Sequence, residues 1–180
     1  MSLTEKTLSV EKIYDGRIIK VEKQQVELPN GRQTTREVVK HPGAVAILAV
    51  RDDQVLLIKQ FRKAMDEVLI EIPAGKVEAG EERVKTAGRE LIEETGLEAG
   101  KLTLLHEFYV SPGFCDELIS LYKAEELTDS TEYTADDDEF IELFWTPFSE
   151  IDSLLQSGQV RDAKTILALQ TLLLNYNHSN

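Results

Sequence analysis

Residues 43–50 form the longest apolar run of the chain, and the polar triplet Arg51-Asp52-Asp53 breaks it before a second stretch at residues 54–60. A run of small and branched side chains without a polar position suits a strand covered on both faces, and the triplet suits a tight turn. Together they predict a hairpin at the centre of a sheet with helices packed on it. The run falls far short of the roughly 20 residues that a membrane helix needs, and the N-terminus lacks a basic-then-apolar signal pattern. The expectation is a cytoplasmic protein with no membrane partner.

Flanking segments extend this sheet. Residues 8–28 alternate apolar and polar in stretches, Pro29-Asn30-Gly31 supplies a turn, and residues 33–39 return, which predicts an N-terminal β-ribbon. Further strands are expected at 67–72, 101–110, 117–124 and 140–146. Residues 73–80 read as a loop and 81–95 as a helix closed by Gly96. Two more helices are expected at 148–157 and 162–176, with Ser149 and Asp162 as N-caps and Leu167, Leu169, Leu172 and Leu173 on the apolar face of the second. The sum is an α/β or α+β sandwich, a mixed sheet with helices packed on it and a β extension before it. A length of 180 residues leaves room for one principal core and an appendage. The chain is therefore expected to divide into an extension, residues 1–42, and a main domain, residues 43–180.

Thirty-three acidic residues against 20 basic ones leave a net charge of −13, which argues against nucleic acid or an anionic membrane surface as a partner. The single cysteine, Cys115, cannot form an internal disulfide and has no thiolate neighbour for a zinc site, so a buried inert thiol is expected. His41, His106 and His178 show no ligand spacing. Phe144 and Trp145 are expected in the core.

One segment departs from an ordinary solvated surface. Placing Glu90 at 0° and advancing about 100° per residue sets Glu93 and Glu94 beside it, while Val84, Ala87, Leu91 and Thr95 take the adjoining face. Like charges so spaced disfavour a helix by about 0.2–0.5 kcal/mol per pair. Divalent cations would reverse that sign, and carboxylate oxygens on a rigid helix suit Mg2+. Gly75, Glu81, Arg89, Glu90, Leu91, Glu93, Glu94, Gly96 and Leu97 stand at the spacing G-x5-E-x7-R-E-U-x-E-E-x-G-U, where U is aliphatic. This pattern resembles the Nudix box, with every fixed position met. The resemblance implies a Nudix-type α/β/α sandwich and divalent-metal-dependent hydrolysis of a nucleoside diphosphate linked to another moiety. Carried over residue by residue, it makes Glu90, Glu93 and Glu94 metal ligands, with the Ala74 carbonyl as a further one. They would hold about two or three Mg2+ ions per site, Mn2+ being an alternative. Arg89 and Glu81 would orient these carboxylates. Gly75 would turn the backbone sharply toward the metal, and Gly88, inside the helix, suggests close packing on a strand.

The box does not name a substrate. Pro112, fifteen residues beyond Leu97 within Ser111-Pro112-Gly113, resembles the ADP-ribose pyrophosphatase branch of the family. So do Arg36-Glu37, His41-Pro42-Gly43-Ala44-Val45, Gln60-Phe61-Arg62 and Glu71-Ile72-Pro73-Ala74-Gly75. That branch implies hydrolysis of ADP-ribose to AMP and ribose 5-phosphate by in-line attack of water at one phosphorus. Arg36 and Arg62 are then the candidates for gripping the diphosphate, since a guanidinium fork binds two phosphate oxygens. Glu71 and Pro112 join the same substrate-binding set, Glu37 would accept a bond from the adenine amine, and Tyr14 would stack on the ring. A general base is implied on a loop before a late strand, where the chain reads Asp136-Asp137-Asp138-Glu139. Glu139 is the first choice and Asp137 the second, and the catalytic set is Glu139 with Glu93 and Arg89. Exchange of N-terminal strands between subunits would make a homodimer. Two other readings stay open. One is a Nudix hydrolase of another nucleotide sugar, a dinucleotide or an oxidised nucleotide. The other is a non-catalytic ADP-ribose or nucleotide sensor, against which the intact box glutamates argue.

Overall fold

The structure, a computed structural model, describes residues 3–131 and 140–179. In chain order it runs β1 (Lys6–Asp15), β2 (Lys20–Glu27), β3 (Gln33–Lys40), β4 (Ala44–Arg51), β5 (Gln54–Arg62), β6 (Glu67–Glu71) and β7 (Ala74–Lys76). Then come α1 (Arg83–Thr95), β8 (Leu97–Tyr109), β9 (Leu118–Asp129), β10 (Ile141–Pro147), α2 (Phe148–Gln156) and α3 (Ala163–Ser179). Two compact units result: Met1–Gly43 with Phe108–Ile119, and Ala44–Glu107 with Ser120–Asn180.

In the second unit the apolar run becomes the central strand. β4 turns through Asp52 and Asp53, at φ of 50° and 56°, into its antiparallel partner β5. Aspartate tolerates this left-handed region because its short side chain bonds locally. Val45, Ile47 and Ala49 pack with Leu56, Tyr122, Ala124 and with Ala87 and Leu91 of α1. The alternate residues Ala46 and Leu48 are equally buried and point the other way, and α3 also packs on β4. Helices on both faces explain why no polar residue interrupts the run. Each large aliphatic side chain buried here stabilises by about 1.5–3 kcal/mol. The sheet is mixed, in the order β10-β5-β4-β9-β8, with β6 paired to β5 and β7 to β4.

The first unit holds a separate antiparallel sheet, β1-β2-β3. Its β2–β3 turn is the expected one, with Gly31 at φ 80° and the Asn30 side chain accepting from the Arg32 amide. All ten residues of β1 are exposed, including Leu8, Val10, Ile13 and Tyr14.

Several boundaries move. β7 lies where a loop is expected, because Ala74, Gly75 and Lys76 pair with Ala46, Val45 and Ala44. α1 begins at Arg83 rather than residue 81. Glu82 is extended and caps the helix through its carbonyl, which accepts from Lys85 and Thr86. β8 begins at Leu97 and runs through Gly100, whose added Cβ would meet Glu126 Cβ at 2.9 Å, so this glycine permits a close strand approach instead of ending the strand. β9 extends to Asp129 because Glu125 pairs with Lys101 and Lys123 and Leu127 is buried. Pro147, not Ser149, precedes α2 as its cap, and the Phe148 amide bonds to the Asp53 carbonyl. Asp162 does cap α3, accepting from the Thr165 amide at 3.0 Å. Gly88 is not closely packed: a Cβ there would make only ordinary contact, 3.8 Å, with Leu102. Trp145 packs against the core beneath the Arg51 guanidinium, 4.7 Å from the ring centroid.

Candidate active site

α1 positions the carboxylates, and one arginine gathers them. The Arg89 fork donates to Glu81 from Nε at 3.1 Å and from Nη2 at 3.0 Å, to Glu90 at 2.9 Å and to Glu93 at 2.7 Å. Nη2 also reaches the Lys76 carbonyl at 3.3 Å. Because α1 starts late, Glu81 lies off the helix and can meet Arg89. The Arg89 hydrogen bonds hold the Glu81 carboxyl down at about 2, against desolvation, with help from the Thr86 hydroxyl. Thr86, fully buried, is a support that the sequence reading misses. A threonine inside a helix carries no signal that its hydroxyl turns back toward the Glu81 carboxylate.

Glu94 is buried and accepts from the Ala74 amide at 2.9 Å, which ties the helix to β7. Glu90 lies over Gly75, where a Cβ would fall 1.8 Å from the Glu90 carboxyl carbon. Gly75 is thus required by close approach. It is not among the positive-φ glycines, so the expected sharp turn is corrected to a strand residue with no side chain.

These groups fit divalent cations. All the side-chain donors are hard oxygens, three carboxylates face one guanidinium, and the space above Gly75 stays clear for Glu90. Among the described residues no three acidic, histidine or cysteine side chains converge as a finished metal cage; Arg89 instead takes one oxygen each from Glu90 and Glu93.

Arg62 and Glu71 meet in a second cluster. Their fork is bidentate, both bonds 2.7 Å, and Glu71 also receives Lys164. Burial pushes the Glu71 carboxyl up, but Arg62 and Lys164 together outweigh it and hold the group below the ordinary value of 4.5. Lys164 was not legible in sequence, since 93 positions separate it from Glu71.

Arg36, Glu37 and Pro112 come together in the first unit, lining a cleft of about 380 Å3 with Tyr109, Phe114 and Cys115. Arg36 pairs there with Glu5, at 2.5 and 3.1 Å, a partner that the sequence reading misses. Cys115 is half-buried rather than buried, and its backbone bridges to Val39. Tyr14 is not among the cleft residues; its ring packs against Gly16. Glu139, Asp137 and their acidic neighbours lie outside the described residues.

A nucleoside diphosphate sugar hydrolase N-terminal domain matches residues 5–39, and a NUDIX domain matches residues 40–169. The chain belongs to the Nudix family. This Nudix chain is 49% identical over 175 residues to the ADP-ribose pyrophosphatase of Bacillus subtilis (strain 168), spanning 96% of this chain and 95% of the relative. It is 42% identical over 172 residues to the methanol dehydrogenase activator of Bacillus methanolicus, spanning 94% and 93%. A solved crystal structure of an ADP compounds hydrolase superposes on it with a TM-score of 0.84 at 25% identity, over 98% of this chain and 95% of that one. Nudix hydrolases generally use divalent metal ions, which agrees with the oxygen-only donor set on α1. Among the described residues of this Nudix chain, no helix is long and apolar enough to cross a membrane.

Proposed function

We propose that this Nudix hydrolase cleaves the diphosphate of ADP-ribose, releasing AMP and ribose 5-phosphate. The observation that carries the reading is the set of carboxylates ordered by Arg89 above a glycine that only a bare backbone can fill. Glu90, Glu93, Glu94 and the Ala74 carbonyl would hold Mg2+ or Mn2+, about two or three ions in all. Bound there, divalent ions supply charge neutralisation for the diphosphate and make water a stronger nucleophile at neutral pH. Arg89 fixes the ligand rotamers, and Glu81 fixes Arg89. Arg36, Glu37 and Pro112 bind substrate, with Arg36 exchanging Glu5 for phosphate oxygens of like geometry. Arg62 and Glu71 are assigned to the same set. Glu139 takes the proton from water, with Asp137 as the alternative. The fully exposed β1 supports a homodimer built by exchanging N-terminal strands.

The test is phosphate release, coupled to a phosphatase, from ADP-ribose, ADP-glucose, NADH, diadenosine polyphosphates and 8-oxo-dGTP, with Mg2+ and with EDTA. Metal-dependent turnover dominated by ADP-ribose is expected. Turnover dominated by another member would reassign the substrate, and tight ADP-ribose binding without turnover would make the chain a sensor. Glu139→Gln should lower kcat with little change in KM. Sedimentation should give twice the 20.3 kDa chain mass.

A second reading is favoured by the 42% identical relative named a methanol dehydrogenase activator. Under it, the chain acts on a dehydrogenase partner. Adding the protein to methanol dehydrogenase and following alcohol oxidation separates the two readings.

A further inference from the structure

The segment 71–74 leads from β6 to the metal-facing start of β7, and each of its residues is held from outside. The Ala74 amide bonds to Glu94 and the Pro73 carbonyl accepts from the Ile47 amide at 2.8 Å. The other two holds come from the first turn of α3. The Thr165 hydroxyl accepts from the Ile72 amide at 2.9 Å, and Lys164 binds the Glu71 carboxylate. Asp162 organises both: its Oδ2 accepts from the Thr165 hydroxyl at 2.6 Å, the Thr165 amide at 3.0 Å and Lys164 at 3.0 Å. Glu71, Lys164 and Thr165 are all buried, at 1%, 9% and 0% exposure. A polar cluster so enclosed is costly unless every member is satisfied, and then it fixes one geometry.

We propose that Asp162, Lys164 and Thr165 are positioning residues that set the Ala74 side of the metal site from α3. The proposal rests on the reading of Ala74, Glu90, Glu93 and Glu94 as metal ligands. Ala74 is three residues from Glu71 and two from Ile72, in strand geometry that transmits a shift along the chain with little slack. Loss of the Thr165 hydroxyl frees the Ile72 amide, lets residues 72–74 move, and uncouples Ala74 from Glu94.

Mn2+ binding to the full-length chain, followed by the EPR signal of free Mn2+, tests this beside amide hydrogen exchange at Ala74. Thr165→Val and Asp162→Asn should each weaken Mn2+ binding by about 10–100-fold, as loss of an outer support to a metal ligand does elsewhere, and should speed exchange at Ala74. Thr165→Ser should restore both. Leu169→Ala loosens α3 from the core without touching the cluster, and should leave Mn2+ affinity within about twofold. Unchanged Mn2+ affinity in Thr165→Val and Asp162→Asn, or equal weakening by Leu169→Ala, overturns the proposal while leaving the metal reading intact. Failure of the unsubstituted chain to bind Mn2+ overturns the metal reading and the proposal together.

Discussion

A single missing side chain at Gly75 decides where the Glu90 carboxylate can be. Gly75→Ala forces that carboxylate aside, because the flexible glutamate yields more readily than paired backbone. Metal affinity should fall by about 10–100-fold with the thermal midpoint almost unchanged, as titration calorimetry and a melting curve would show. Arg89 has the complementary part. Its planar fork serves three carboxylates at fixed angles, whereas a lysine is a single rotating point charge. Arg89→Lys should therefore lower kcat/KM for ADP-ribose by about 10–100-fold although the charge is kept. The spacing of the box makes these residues legible in sequence, since α1 carries its own periodicity and its carboxylates fall on one face by arithmetic. The reason for Gly75 is not legible that way: a glycine in a string signals freedom, and only the fold reveals that the need is for empty space.

At the scale of elements, α1 and α3 end and begin on conformations that can be tested singly. Gly96 closes α1 at φ 71°, donating its amide to Ile92. Gly96→Ala should cost about 1 kcal/mol in urea unfolding, because a Cβ disfavours the left-handed region. β6 and α3 are joined by Glu71 between Arg62 and Lys164, and Glu71→Gln leaves the half-buried Arg62 without its anion and the buried Lys164 with Asp162 alone, for an expected loss of about 1–3 kcal/mol. The same cluster sets a pH dependence. The folded Glu71 carboxyl titrates below its ordinary 4.5, so its stabilisation is complete above that pH and is lost as pH falls through the lower folded value. Acid melting curves of Glu71→Gln should be flatter over that window. The pairing is not legible in sequence, where Arg62 and Glu71 read as members of the substrate-binding set. The partners that bury them come from the far end of the chain, and no local period marks a long-range ion pair. The strand at Ala74–Lys76 is hidden for the opposite reason: Pro73 and Gly75 are turn residues by composition, and only pairing with β4 makes residues 74–76 sheet.

For the molecule as a whole, the acidic balance and the metal reading make one joint prediction. A ligand that binds only the folded state at about 100 times its Kd adds roughly 2.7 kcal/mol, or about 5–10 °C in a chain of this size. Calorimetry with Mn2+ should show that rise and EDTA should abolish it; no shift would count against a built cation site. The central hairpin, the burial of β4 and the N-terminal ribbon are legible from patterning because each is marked by a local run of residues, even where the covering partners, such as α3, are distant. The cluster at Glu71 depends on residues 93 positions later, and that separation gives the protein a timetable. At about 5–20 residues per second, the ribosome needs between about 5 and 20 s to deliver Thr165 and Lys164 after Ile72 and Glu71. For most of that interval the nascent chain already carries Arg89, Glu90, Glu93 and Glu94, yet it cannot lock the strand beside them. The newborn hydrolase stays idle until synthesis is nearly finished.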